Sequence, residues 1–307
     1  MEKTNLPLLI VTTSVYTGLS NTLKSYLVGL QLTESSDNVK ILCTDSYIYG
    51  RYYEILDKCH IYYKNNGDVR DPIFYGGWRL FINKEDSPYQ VYSEVNEYSN
   101  LNGYNGYNIE WIDSKHDLSK QIDLLFNPEL ICDQIKERVF RAISKLKFTP
   151  IIYEKIIKFR RKYNLIDDIN DKISNERGKL LGISVRTWKI KHEVAHTDRP
   201  YNYETYANKI ISFLKSKDGK NINIVFLSTD NDKYAEPYLE LFKKDFSHLK
   251  VVHFPAKNVS KLTDLQIAIL KVLKLSYCGN LIGNRSSTFT ELVMWFSKFK
   301  TRIHTVF

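Results

Sequence analysis

The chain has 307 residues, 43% hydrophobic and 13% aromatic, which is enough for a substantial core and excludes a disordered chain. Its net charge is +9, and the Lys and Arg residues are spread along the sequence instead of forming one basic tract. That distribution favours a phosphate-bearing small ligand over a nucleic-acid surface. Cys43, Cys59, Cys132 and Cys278 show no paired metal-ligand spacing and are too few for a disulfide framework, so reduced thiols in a cytoplasmic protein are expected.

The first apolar run, Leu6 to Val11, contains Pro7 and is too short for a signal-peptide core or a membrane span, and nothing later in the chain is long enough either. Leu8 to Thr12 reads as a buried strand. Thr13 to Asn21 is a polar loop that leads into a helix through about Leu32, with Leu23, Leu27, Leu30 and Leu32 as its main apolar positions. A second strand, Val39 to Cys43, ends in Thr44-Asp45. The chain therefore opens strand, loop, helix, strand, as a parallel sheet does, and ligands of such sheets sit beyond the carboxyl ends of the strands. Gly18, Ser20, Asn21 and Asp45 fall at those ends, and Gly18 permits close backbone approach.

From Tyr47 to Trp111 the pattern is irregular, and turn-forming residues dominate Asn96 to Asn108. The tyrosines there suit stacking on a sugar or base, and equally suit ordinary surface packing. Pro128 to Leu146 reads as a helix with Ile131, Ile135, Val139, Phe140 and Ile143 on one face. A charged helical stretch, Tyr153 to Asn175, follows. The boundary between two halves is expected near Pro150, giving domains 1–150 and 151–307.

Beyond it the alternation is regular. Strands are expected at Leu180 to Val185, Ile222 to Leu227, Lys250 to Phe254, Gly279 to Ile282 and near Arg302 to Val306. Helices are expected at Tyr203 to Leu214, Tyr234 to Phe246, Leu262 to Leu275 and Thr288 to Phe296. Strands alternating with helices in this way describe a Rossmann-like domain, and two such domains facing across a cleft form an α/β protein.

The candidate site residues lie at strand ends. Arg186 follows the first strand of the second half, and its planar fork suits a pair of diphosphate oxygens. Ser286, Ser287 and Thr288 stand where a helix begins, with an N-cap side chain and backbone N–H groups suited to an anion. Glu193 is a candidate general base toward an acceptor hydroxyl, with His192, His196 and Asp198 as competitors. Asp230 and Asp232 have the Asp-x-Asp spacing of a divalent-metal pair, but also suit a strand-end cap. Their late place in the chain favours the cap.

Four segments in this order, Gly18-Leu19-Ser20-Asn21, Ser184-Val185-Arg186-Thr187, Ser228-Thr229-Asp230 and Ile282 to Glu291, resemble the ordered motifs of the fucosyltransferase superfamily. That superfamily holds the protein O-fucosyltransferases, the α1,6-fucosyltransferases and the nodulation fucosyltransferase. The resemblance implies a GT-B fold, with an acceptor-side first domain and a nucleotide-sugar-binding second domain. It also implies inverting transfer of fucose from GDP-fucose to a glycan acceptor, with no metal or other cofactor. By this similarity Gly18, Ser20 and Asn21 match the Gly-rich loop near the diphosphate, and Arg186 the arginine that stabilises the departing group. Thr229 and Asp230 match the strand-end pair near the nucleotide, and Ser286, Ser287 and Thr288 the phosphate-binding turn. The chain departs from the pattern in having Ser184 where relatives often have histidine, one arginine where several have two, and no acidic match for the residue that reads guanine. Alternatives are a transferase for another nucleotide sugar, a metal-dependent transferase using Asp230 and Asp232, a non-catalytic nucleotide-sugar or glycan-binding protein, and a nucleic-acid-binding protein that uses the net positive charge and the tyrosines.

Overall fold

The computed structural model describes residues 8–12, 19, 20, 23, 27, 39–43, 54–57, 60–63, 133–165, 175–187, 201–256, 261–284 and 287–306. The chain divides into two compact units, one of residues 1–121 and 129–152 and the other of 122–128 and 153–307.

The first unit contains a parallel sheet of β1 (Leu8–Thr12), β2 (Val39–Cys43) and β3 (His60–Tyr63), in the order β1-β2-β3. Leu8 pairs with Val39 and Lys40 with His60. Leu19, Leu23 and Leu27 are helical and buried, four residues apart and therefore on one face, as a crossover between parallel strands requires. β3 falls in the stretch read as irregular from sequence; four residues without polar alternation leave no period to detect, and pairing with β2 defines the strand. Helix α1 (Asp133–Lys145) buries Val139 and Ala142. The Thr149 N–H donates to the Ile55 carbonyl at 3.0 Å and the Asp57 N–H to the Lys147 carbonyl at 2.8 Å.

Helix α2 (Pro150–Lys162) starts on a proline and stops well short of the Asn175 expected from its charge pattern. Asn164 takes the left-handed conformation (φ 53°), and the Leu165 N–H reaches back to the Arg160 carbonyl at 2.9 Å. The Asn164 N–H donates to the Arg161 carbonyl at 3.3 Å, completing a Schellman termination that charge periodicity does not reveal.

The second unit is a five-stranded parallel sheet in the order β6-β5-β4-β7-β8. The strands are β4 (Leu180–Val185), β5 (Ile224–Thr229), β6 (Lys250–Phe254), β7 (Asn280–Asn284) and β8 (Arg302–Val306). A single helical turn, α3 (Asn175–Gly178), precedes β4; the crossovers hold α4 (Tyr203–Lys215), α5 (Glu236–Asp245), α6 (Asp264–Leu275) and α7 (Thr288–Phe296). Paired strand residues share a face, which sorts the core into two layers. Leu181, Ile183, Val185, Val225, Leu227 and Ile282 form one layer with Tyr206, Ile210, Tyr238 and Phe242 of α4 and α5. On the opposite face Phe226 stacks on Phe254 at 5.3 Å and meets Phe159 of α2 at 5.2 Å. The expected α/β class is the observed one, with each unit built on a parallel sheet.

Two strand boundaries differ from the expectation in a way that moves the site. β5 starts and ends two residues later than expected. The Ile222 N–H is taken by the Gly219 carbonyl in a short 3-10 turn, and parallel pairing continues to Val185 opposite Thr229. Ser228 and Thr229 are thus buried strand residues, not loop. β7 likewise runs on to Asn284, which is opposite Val306. Gly283 lets α7 approach this strand: a Cβ there would lie 2.7 Å from Thr290 Oγ1 and 2.8 Å from its Cγ2.

Candidate functional site

β4 is flanked by β5 on one side and β7 on the other, so strand order reverses between β4 and β7. The crevice beyond the carboxyl ends at such a reversal is where open parallel sheets bind ligands. Every residue of β4 is buried, and Arg186, the first residue beyond it, is the first to emerge, with its side chain 34% exposed.

The arginine is held from both sides. Its backbone N–H donates to the Tyr206 hydroxyl at 3.3 Å, and that phenol, fully buried on α4, also hydrogen-bonds the side chain of Asn284 at the end of β7. Burial pushes the Tyr206 hydroxyl well above its ordinary range, so it remains a neutral donor and acceptor. Tyr206 therefore ties the ends of β4 and β7 together. From the other side Asp230, just past β5, accepts from the Thr187 N–H at 3.0 Å and from the Thr187 hydroxyl at 2.8 Å. Its carboxylate lies 3.5 Å from Arg186 Nη1, and its own N–H donates to the Val185 carbonyl at 3.3 Å.

Asp232 faces elsewhere. It accepts from the Ala256 N–H at 2.6 Å, and its carboxylate stands 3.5 Å from His253 Nε2. Burial lowers the affinity of His253 for its proton, while Asp232 acts in the opposite direction. The two carboxylates of the Asp-x-Asp pair are thus engaged with different strands, Asp230 with β4 and Asp232 with the segment after β6. Among the described residues no group of three or more His, Cys, Asp or Glu side chains is arranged to hold a metal ion.

Helix α7 starts beyond β7. Ser287 is its N-cap, with extended backbone (φ −94°, ψ 114°), and its hydroxyl makes no capping bond to the first turn. The Ser287 N–H donates to the Asn284 carbonyl at 3.2 Å, closing the turn that brings α7 back over the sheet. A helix start without a bond from its N-cap side chain leaves first-turn N–H groups and the positive end of the dipole to other partners. Glu291, buried in the same first turn, suits that potential.

Arg186, Thr229, Asp230 and Ser287 thus stand at adjacent strand ends of one sheet. Thr288 is the first residue of α7, and its side chain lies outside the described residues, as do Gly18, Asn21, Glu193 and Ser286. The competing His192, His196 and Asp198 lie outside them too. Ser20 is helical and buried in the first unit.

Sequence reasoning missed Tyr206, Asn284 and Lys271. Lys271 is buried on α6, and its ammonium donates to the Thr229 carbonyl at 2.9 Å. Its signal was present: a lone cation in the apolar run Ile267 to Leu273 sits where a helix faces the sheet. Tyr206 carried no such mark among the 22 tyrosines.

No family model matches the chain, and no curated protein matches it. Solved structures do. An Arabidopsis thaliana FUT1 variant in complex with GDP is 12% identical, with 97% of this chain and 70% of that chain covered and a TM-score of 0.47. POFUT1 in complex with GDP-fucose is 10% identical, with 100% of each chain covered and a TM-score of 0.47. The NodZ alpha-1,6-fucosyltransferase soaked with GDP-fucose is 14% identical, with 95% and 92% covered and a TM-score of 0.43. The chain is similar to these fucosyltransferase structures along nearly its whole length. Among the described residues no helix is long and apolar enough to cross a membrane.

Proposed function

We propose that the chain is an inverting glycosyltransferase that binds a nucleotide sugar at the carboxyl ends of β4, β5 and β7 and transfers fucose from GDP-fucose to a glycan acceptor. The observation that carries the proposal is a braced arginine just beyond β4 and, beyond the neighbouring strand β7, a helix start whose N-cap Ser287 makes no side-chain capping bond. The choice of donor follows the ordered motifs around Ser20, Arg186, Asp230 and Ser287.

In the proposed reaction the acceptor hydroxyl oxygen bonds to the anomeric carbon while the bond from that carbon to the β-phosphate oxygen breaks. The electron pair leaves with GDP, and the acceptor proton passes to a general base, for which Glu193 is our candidate. Negative charge grows on the diphosphate as the bond opens. Arg186 and the first-turn N–H groups of α7 are donors fixed in advance, so they stabilise that charge without reorganising. The separate partners of Asp230 and Asp232 favour charge compensation by these groups over a metal held between the two carboxylates. Gly18, Ser20 and Asn21 are proposed to contribute to donor binding. We also propose a cytoplasmic protein, in keeping with the buried free thiol of Cys278.

A thermal-shift panel of nucleotides and nucleotide sugars, followed by transfer assays, tests this reading. Ligand at a hundred times its Kd stabilises by about 2.7 kcal/mol, which at about 2–4 °C per kcal/mol is a rise of roughly 5–10 °C. GDP and GDP-fucose are expected to give that rise, and GDP-fucose to be consumed. No rise with any nucleotide would remove the proposed site, and a rise without turnover would make the chain a nucleotide-sugar-binding protein.

A further inference from the structure

We propose that Lys271 is a positioning residue for the nucleotide, a buried ammonium that fixes the carboxyl end of β5 and, through Asp230, the setting of Arg186. The assignment rests on the nucleotide site proposed above and extends it to a residue that no motif singles out. Lys271 is 7% exposed and lies between the buried Leu270 and Val272 on α6. Its Nζ donates at 2.9 Å to the carbonyl of Thr229, the last residue of β5. A buried ammonium is costly to desolvate, and one backbone bond does not offset the loss that an apolar side chain would avoid.

What the ammonium faces explains its presence. The next residue after Thr229, Asp230, carries the carboxylate that holds both hydrogen-bonding groups of Thr187 and stands beside Arg186. Thr229 joins the two, and its own hydroxyl is buried with no hydrogen-bond partner among the described residues. The Lys271 bond to the Thr229 carbonyl therefore steadies the turn on which Asp230 is mounted.

The charged groups that act on the ammonium come from the segment beyond β5 and from its own helix. Asp232 and Asp230 beyond β5 favour its charged form, whereas Lys274 on its own helix opposes it. His253 on β6 also feels the lysine's charge. Burial is the largest influence and brings the lysine down to about 8. It is a cation below that pH and is progressively lost as one above it. A diphosphate bound near Arg186 favours the charged form, so the Lys271 contribution to binding is full at neutral pH, starts to fall as pH rises above about 8, and is lost once pH passes the higher value that the lysine has in the complex.

Calorimetric titration with GDP across the neutral to alkaline range, in the 307-residue wild type and in Lys271→Met and Lys271→Arg, tests the assignment. Ratios between variants at each pH cancel the ionisation of GDP itself. Wild type is expected to bind about tenfold tighter than Lys271→Met at neutral pH, with the ratio narrowing in alkali as the charge-assisted bond to Thr229 becomes the weaker bond of a neutral amine. Lys271→Arg, always charged, is expected to gain on wild type as pH rises. A ratio that does not change with pH overturns the assignment. If Lys271→Met does not fold, the ratio of Lys271→Arg to wild type decides alone. Absence of GDP binding by wild type at every pH overturns the nucleotide site itself, a result distinct from a flat ratio.

Discussion

Replacing Gly283 by alanine tests whether the start of α7 is held against β7 closely enough to serve the site. The added Cβ would lie 2.7 Å from Thr290 Oγ1, a shortfall of 0.7 Å against the 3.4 Å at which ordinary contact begins. Thr290 is fully buried, so it has no solvent to move into, and the first turn of α7 must lift from the sheet. Overpacking of this kind costs about 1–3 kcal/mol. For a unit of this size that is roughly 2–12 °C in Tm. The compensating change is Thr290→Ala. It removes a buried methyl, worth about 0.8 kcal/mol, together with a hydroxyl that has no hydrogen-bond partner among the described residues. Relief of such a buried group is worth about 1–3 kcal/mol, so the single Thr290→Ala change should lie between neutral and about 2 kcal/mol stabilising. In the double variant the methyl added to the β7 backbone occupies the vacated space, and the cycle should show a favourable coupling of about 1–3 kcal/mol. Denaturant unfolding measures the four stabilities, and GDP titration measures the four affinities. Affinity should fall in Gly283→Ala and return in the double variant, because Ser287 moves with the helix. Additive stabilities would refute the packing argument, and unchanged affinity in the lifted variant would detach α7 from the site.

Two further outcomes follow from the same geometry. Tyr206→Phe removes the phenol that joins the Arg186 N–H to Asn284. It should cost about 1–2 kcal/mol in stability and weaken nucleotide binding severalfold, and unchanged binding would show that β4 and β7 need no tie. Transfer activity should survive exhaustive chelation and gain little from added Mg2+ or Mn2+. A strict metal requirement, with the metal-supported activity lost in Asp230→Asn, would favour the metal-dependent alternative.

Arg186 was visible in the sequence because an apolar run, Leu180 to Val185, ends abruptly in a cation, and a parallel strand buried on both faces leaves its first exposed residue at the carboxyl end. The start of α7 was visible for a similar reason: Ser287 precedes an apolar helical run. The division of labour between Asp230 and Asp232 was not, since spacing alone does not say which strand each carboxylate turns toward. Thr229 was read as loop because polarity marks a strand end in sequence, whereas pairing with Val185 keeps it in the sheet. Tyr206 escaped because only tertiary packing brings its hydroxyl to the Arg186 N–H, and Lys271 because a lone cation in an apolar helical run does not say which strand end it reaches.

In the proposed reaction Arg186 contributes nucleotide affinity and not fold stability. Calorimetric titration of Arg186→Ala with GDP, set beside its melting temperature, separates the two. Its ion pair with Asp230 is partly exposed and worth about 0–1 kcal/mol to stability, so Tm should move by only a few degrees. Loss of charge-assisted bonds to the diphosphate should cost about 1.5–3 kcal/mol of binding, roughly 10- to 150-fold in Kd. Wild-type affinity in that variant would contradict the account.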